Sequence, residues 1–216
     1  MNSIKKTSDG SSTIFVEELN EHYHSIHGAY NEAIHVFIKS GIEYYNQKDI
    51  KIFEVGFGTG LNACLSAEHA KENNINIEYH SIEKYPVEQE LIQQLNYPEI
   101  VGNQEIFNKI HSVNWNQCEE VHELFSLKKI QNDLKSFSCE EQFDIIYFDA
   151  FAPEKQENMW SIEVFKKMIE ILKRDGVLVT YCAKGSIRRR MVEVGFKVDR
   201  IPGPPGKREM LRATKV

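Results

Sequence analysis

The stretch that most constrains the fold is Lys51–Leu61, KIFEVGFGTGL. An apolar run (Ile52, Phe53, Val55) enters a loop with glycines at Gly56, Gly58 and Gly60. The next residues, LNACLSAEHAKEN, carry helical apolar spacing. Strand, glycine turn and helix open a nucleotide-binding α/β unit. Glycines there let the backbone turn tightly and let a ligand come close, because no Cβ stands in the way.

Glu54 narrows the kind of ligand. A pyrophosphate site asks for G-x-G-x-x-G in front of a helix N-terminus. Here the pattern is E-x-G-x-G-x-G, an acid before the first glycine. That charge suits a cation better than a phosphate, and S-adenosylmethionine carries a sulfonium. Phe57 and Thr59 complete the expected cofactor loop. The run INIEYHSIEKYP reads as a second strand ending at Glu83, 23 residues after Gly60. An acid at that place accepts hydrogen bonds from ribose hydroxyls. Asp133 is the candidate on the adenine side, with Gln131 and Asn132 as alternatives.

Further along, within QFDIIYF, IIYF is a continuous apolar run, as expected of a strand buried on both faces. It leads into Asp149, followed by Ala-Phe-Ala-Pro. Ligands of open α/β sheets sit at the carboxyl ends of strands, so Asp149 is placed for chemistry. SIEVFKKMIEILKRDG predicts an amphipathic helix closed by Gly176. VLVTYCA predicts another buried strand, KGSIRRRMVEVGF a basic helix, and FKVDRIPGPPGKREMLRATKV a terminal hairpin. Alternating strands and helices predict an open, mostly parallel sheet. Residues 1–48 read as an N-terminal extension on the substrate side and 49–216 as the core. Residues 1–13 are polar and predict a loosely held end. A helix is predicted from the period of Ala33, Ile34, Phe37, Ile38, Ile42 and Tyr45.

Before that helix lies a polar and aromatic cluster, Glu17, Glu18, His22, Tyr23, His24, Ser25 and His27. Its HxHxxH spacing lacks a carboxylate or cysteine at a known ligand spacing, so no metal is expected. The cysteines (Cys64, Cys118, Cys139, Cys182) form no CxxC pair and predict neither a metal nor a disulfide. No apolar run approaches the roughly 18 residues of a membrane span. The first residues lack the apolar core of a secretory signal, so a cytoplasmic protein is expected.

The net charge of −6 is unevenly spread. From Lys184 onward ten basic residues face three acidic ones, a charge of +7 that leaves −13 on the rest. A basic end on an acidic body reads as a docking surface for a polyanion.

At these motifs the chain resembles the class I S-adenosylmethionine-dependent methyltransferases. That resemblance implies an open, mostly parallel, seven-stranded Rossmann-like sheet ending in an antiparallel hairpin. FEVGFGTGLN, YFDAFAPEKQENMW, YCAKGSIRRR and GKREML are similar to the methyltransferase half of the bifunctional tRNA 5-methylaminomethyl-2-thiouridine biosynthesis family. The segment DGSSTIFVEELNEHYHSIHGAYNEAIHVFI is similar to that family's N-terminal segment, so the likeness spans nearly the whole chain. The long polar stretch 96–122 departs from the pattern. The family's flavin-dependent oxidase half has no counterpart in 216 residues. A stand-alone methylating form is therefore expected, with a separate oxidase as a possible partner.

The resemblance implies methylation of the 5-aminomethyl nitrogen of a wobble uridine in the tRNA anticodon loop. Asp149 is then the expected proton acceptor, walled by Phe151 and Pro153. Glu17, His22, Tyr23, His24 and Ser25 are expected to close over the cofactor or the uridine. Lys184, Arg188, Arg189, Arg190, Lys207 and Arg208 are expected on anticodon-stem phosphates. Three rivals are a same-fold methyltransferase of small-molecule or protein amines, a non-catalytic binding module, and a nicotinamide oxidoreductase.

Overall fold

The computed structural model describes residues 2–216. Its strands and helices run in the order β1 (Ser3–Lys6), β2 (Ser12–Val16), β3 (Glu21–His22) and α1 (Ala29–Ala33). Helix α1 continues without a break into a π-helical stretch, Ile34–Glu43. Then follow β4 (Asp49–Val55), α2 (Leu61–Asn73), β5 (Asn76–Glu83), α3 (Gln89–Ile92), α4 (Tyr97–Val101) and α5 (Gln104–Ser112). The remainder is β6 (Cys118–His122), β7 (Phe125–Gln131), β8 (Phe143–Phe148), α6 (Ile162–Ile171), β9 (Leu172–Thr180), α7 (Gly185–Glu193), β10 (Phe196–Pro202) and β11 (Glu209–Lys215).

The main sheet has the order β10-β11-β9-β8-β4-β5-β7-β6. Strands β9, β8, β4, β5 and β7 are parallel, and β10 and β11 form the antiparallel hairpin at one edge. Chain order reverses between β4 and β8, the place where open sheets of this type open a crevice. Every residue of β8 is buried, as a strand covered on both faces requires. One apolar layer joins α2, α5 and the π-helix to the sheet; the other holds α6 and α7, centred on Trp160, Phe165 and Met191.

The structure differs from the sequence expectations in four places. The sheet has eight strands, seven as expected plus β6, folded from the polar stretch and paired antiparallel on β7. With its glutamates, β6 covers what would otherwise be an unpaired edge. Residues 3–13 are not loose. β1 pairs with β2, and Ser11, Ser12 and Thr13 are buried. The Asn96 carboxamide holds this small sheet to the body, accepting from Ser12 N–H at 2.8 Å and donating to the Gly10 carbonyl at 2.9 Å.

Helix α6 ends at Ile171, not at Gly176. Leu172 already pairs with Phe143, and Asp175 takes the positive φ. Gly176 serves the strand instead: a Cβ there would lie 2.9 Å from the Asp144 carbonyl oxygen. In the π-helix the turn is wider than the 3.6-residue period, so Val36 and Gly41 are buried beside the expected apolar positions. The Ser40 hydroxyl donates to the His35 carbonyl, five residues back, at 2.8 Å.

Candidate active site

A cleft of about 990 Å³ opens at the carboxyl ends of β4, β5 and β8. One wall is the glycine loop. Gly56 N–H donates to the Ile82 carbonyl at 2.9 Å, and Asp149 N–H donates to the Val55 carbonyl at 3.1 Å, so the loop starts pinned on both sides. Gly56 and Gly58 have φ of +92° and +51°. Their missing Cβ atoms would lie 2.9 Å from the Asp149 carbonyl oxygen and 3.0 Å from the Tyr23 ring. At Gly56 the φ and the fixed backbone oxygen together leave no place for an L side chain, whereas at Gly58 the Tyr23 ring would have to give way. Gly60 caps α2 from behind and does not line the cleft. Phe57 is buried, edge-on to Trp115, and Thr59 hydrogen-bonds Tyr97 at 3.0 Å.

Glu83 ends β5 on the same wall. Its carboxylate accepts from Gly58 N–H at 3.1 Å and Tyr85 N–H at 2.9 Å. Burial raises its pKa, and those backbone donors pull the other way. Asp133 and Asn132 both reach the cleft, whereas Gln131 does not. Asp133 accepts from Lys135 N–H at 2.9 Å and pairs with Lys84 at 3.0 Å; the Lys135 backbone bond is the main reason its pKa is lowered.

Asp149 stands at the start of the opposite wall. Burial pushes its carboxyl up to about 7, against the lowering effect of a hydrogen bond from Asn62 Nδ2 at 2.8 Å. The Phe151 ring meets Tyr23 edge-on, centroids 5.0 Å apart. Trp160 Nε1 fixes that loop by donating to the Phe151 carbonyl at 2.8 Å. The Tyr181 hydroxyl donates to the Ala150 carbonyl at 2.8 Å. His22, Tyr23, His24 and Ser25 all line the cleft; Glu17 and Pro153 fall outside its lining. His24 lies between Thr13 and Thr59, and burial pushes its pKa down to about 4.

Two expected roles meet a different geometry. Glu54 is fully buried behind the wall, bonded to Ser81 and Asn62, and does not line the cleft. Lys207 does not face outward with the other basic residues. It lines the cleft, paired with Glu32 and 4.0 Å from the Tyr181 ring centroid. Lys184, Arg188, Arg189 and Arg208 lie outside the cleft, with Lys184 paired to Glu154. The Arg189 and Arg200 guanidinium groups converge over Gly185, 3.4 and 3.8 Å from where its Cβ would stand. Arg190 is turned inward, donating to the Trp160 carbonyl at 3.0 Å.

Sequence reasoning missed Glu32, Asn62 and Tyr181. Asn62 closes GTGLN and so adjoins a motif already singled out; Glu32 and Tyr181 carry no local signal. Among the described residues one group has metal-compatible spacing, Glu78, His80 and Glu141, remote from the cleft. There the Lys51 ammonium already pairs with both carboxylates.

The glycine-loop wall fits an adenosyl sulfonium. Its backbone admits close approach, its side-chain acceptors include the carboxylates of Glu83 and Asp133, and the loop itself carries no basic side chain for a phosphate.

A family of S-adenosyl-L-methionine-dependent methyltransferases matches residues 89–216. The tRNA 5-methylaminomethyl-2-thiouridine biosynthesis bifunctional protein MnmC of Cupriavidus necator is 32% identical, over 89% of this chain and 31% of that protein. Its namesake in Leptospira interrogans is 32% identical over 90% of this chain and 32% of that protein. This chain thus spans about a third of the length of these relatives. The crystal structure of MNMC2 from Aquifex aeolicus superimposes with a TM-score of 0.82 at 27% identity, covering 99% of this chain and 70% of that one. Fold, glycine loop and family match agree: the chain belongs to the S-adenosyl-L-methionine-dependent methyltransferases.

Proposed function

We propose that the chain methylates the primary amine of a 5-aminomethyl group on the wobble uridine, or 2-thiouridine, of tRNA. The observation that carries this reading is Asp149, buried at the cleft beside an aromatic wall with its carboxyl pushed up to about 7. A primary amine is protonated near neutral pH and has no lone pair for attack. A base of matched pKa must take that proton within the site. The names of the relatives supply the substrate class.

Bound against the glycine loop and Glu83, S-adenosylmethionine supplies an electrophilic methyl carbon. Asp149 orients the amine and accepts its proton. Tyr23 and Phe151 wall the amine off from water, with His22, His24 and Ser25 on the same side of the cleft. Lys184, Arg188, Arg189 and Arg208 take phosphates of the anticodon stem, and the target base leaves its stack to enter. A separate flavin-dependent oxidase is the partner that would expose the amine. The setting is cytoplasmic; no helix among the described residues is long and apolar enough to cross a membrane.

The test uses methyl-labelled cofactor and two tRNA pools, one with 5-aminomethyluridine at the wobble position and one unmodified. Label entering only the first pool supports the reading. Label entering neither, with cofactor binding intact, overturns it and turns the search to small-molecule or protein amines.

A further inference from the structure

Asn62, the second residue of α2, touches two carboxylates at once. Its Nδ2 donates to Glu54 Oε1 at 3.0 Å and to Asp149 Oδ2 at 2.8 Å. The other oxygen of Glu54 accepts from Ser81 Oγ at 2.6 Å. Glu54 is fully buried and Asn62 is 4% exposed, so neither relies on water. The amide orientation follows from the acceptors, because a flipped carboxamide would aim its oxygen at two carboxylates. Both hydrogens of Nδ2 are then committed, and Asn62 Oδ1 is left buried without a partner. Among neutral side chains only a carboxamide offers two hydrogens from one nitrogen with this reach.

We propose that Asn62 is a positioning residue: its amide clamps Asp149 to Glu54, so that Asp149 presents its remaining oxygen to the amine. Glu54 consequently acts on the reaction through Asp149, not by touching the cofactor. This rests on the reading in which Asp149 accepts the amine proton.

Burial raises both, Glu54 to about 8, where the Asp149 charge adds to the rise. Joined through one amide, the two carboxyl groups are expected to titrate as a linked pair. Other groups also face Asp149. Glu32 on α1 raises its pKa and Lys207, before β11, lowers it. Tyr79 on β5, Tyr97 on α4 and Tyr181 after β9 are held protonated by burial.

The experiment follows the Asp149 carboxyl carbon by NMR in cofactor-free protein labelled with 13C-aspartate, assigned with Asp149→Asn. In the parent chain the titration is broader than a one-proton curve. Glu54→Gln, which keeps an acceptor for Asn62 but no charge, collapses it to one proton. Asn62→Leu raises the midpoint by about one pH unit, the worth of a single hydrogen bond to a carboxylate. The acid limb of methyl transfer moves with it, while the cofactor Kd from calorimetry stays within about threefold. An unchanged Asp149 midpoint in folded Asn62→Leu overturns the proposal. If that variant does not fold, a one-proton curve in both the parent chain and Glu54→Gln overturns it instead. The NMR arm needs no substrate, so absent methyl transfer with these shifts present rejects only the substrate reading.

Discussion

The two walls of the cleft are built from different materials. The glycine-loop wall is mostly backbone, made by a short run after β4 and the end of β5. Its shape comes from what is missing, two Cβ atoms that would crowd the Asp149 carbonyl and the Tyr23 ring. The opposite wall is side chain: Tyr23 and Glu32 from the segment before β4, Phe151 after β8, Tyr181 after β9 and Lys207 before β11. A backbone wall resists substitution but has little vocabulary. A side-chain wall, assembled from distant segments, is where selectivity for one substrate is set.

The sharpest break between the walls is Asp149→Asn. We expect methyl transfer to fall by about 10²- to 10⁴-fold, the range for losing a general base. Cofactor binding by calorimetry should change by only a few-fold. A parallel loss of both would mean that Asp149 holds the cofactor.

Gly56→Ala attacks the other wall. The φ of +92° and the 2.9 Å approach to the Asp149 carbonyl leave no relaxed place for the methyl. Thermal or denaturant unfolding should show a loss of about 1–3 kcal/mol, together with weaker cofactor binding. Unchanged stability and affinity would mean the loop is slack.

A third test uses pH. Glu54 and Asp149 have folded pKa values raised to about 8 and about 7. Near neutrality the folded state therefore binds more protons than the unfolded chain, and stability falls as pH rises. His24, lowered to about 4, acts oppositely and its contribution is complete above about pH 6.5. Between pH 6.5 and 8 the carboxyl groups are left as the main slope. The cofactor-free Tm should drop across that window by a few degrees, and less in Glu54→Gln. A flat or rising profile would contradict the burial cost assigned to the pair.

The smallest effect separates the basic residues. Reversing Arg188 and Arg189 should lower the salt slope of tRNA binding by about 1 for each phosphate that is no longer neutralised. Lys207→Met should leave that slope alone, because its ammonium is committed to Glu32 inside the cleft. Equal slope changes would place all three on the same RNA surface.

What could be read from the sequence divides along the same line as the walls. Gly56, Gly58, Glu83 and Asp149 each sit at the end of an apolar run, and local pattern finds such places. The five parallel strands and the hairpin followed from the same runs. Glu32 and Tyr181 matter only because the fold brings residues about 150 apart together, and no window of local sequence contains that fact. Lys207 misled for the same reason: it sits in a basic stretch, yet its partner is Glu32. The hold on residues 3–13 was equally invisible, because its partners, Asn96 and the backbone N–H groups of Ala29 and Asn31, lie far along the chain.

Strand β11 lies between β9 and β10, although β10 precedes it in the chain. The sheet is thus completed from within, by the segment synthesised after all its other strands. On a ribosome, β9 waits with one edge unpaired and β10 has nothing to pair with until β11 emerges. Lys207 reaches Glu32 only when that insertion is made. The side-chain wall is thus finished by a segment made late, whereas the glycine loop is pinned by Ile82 and Asp149, both made earlier.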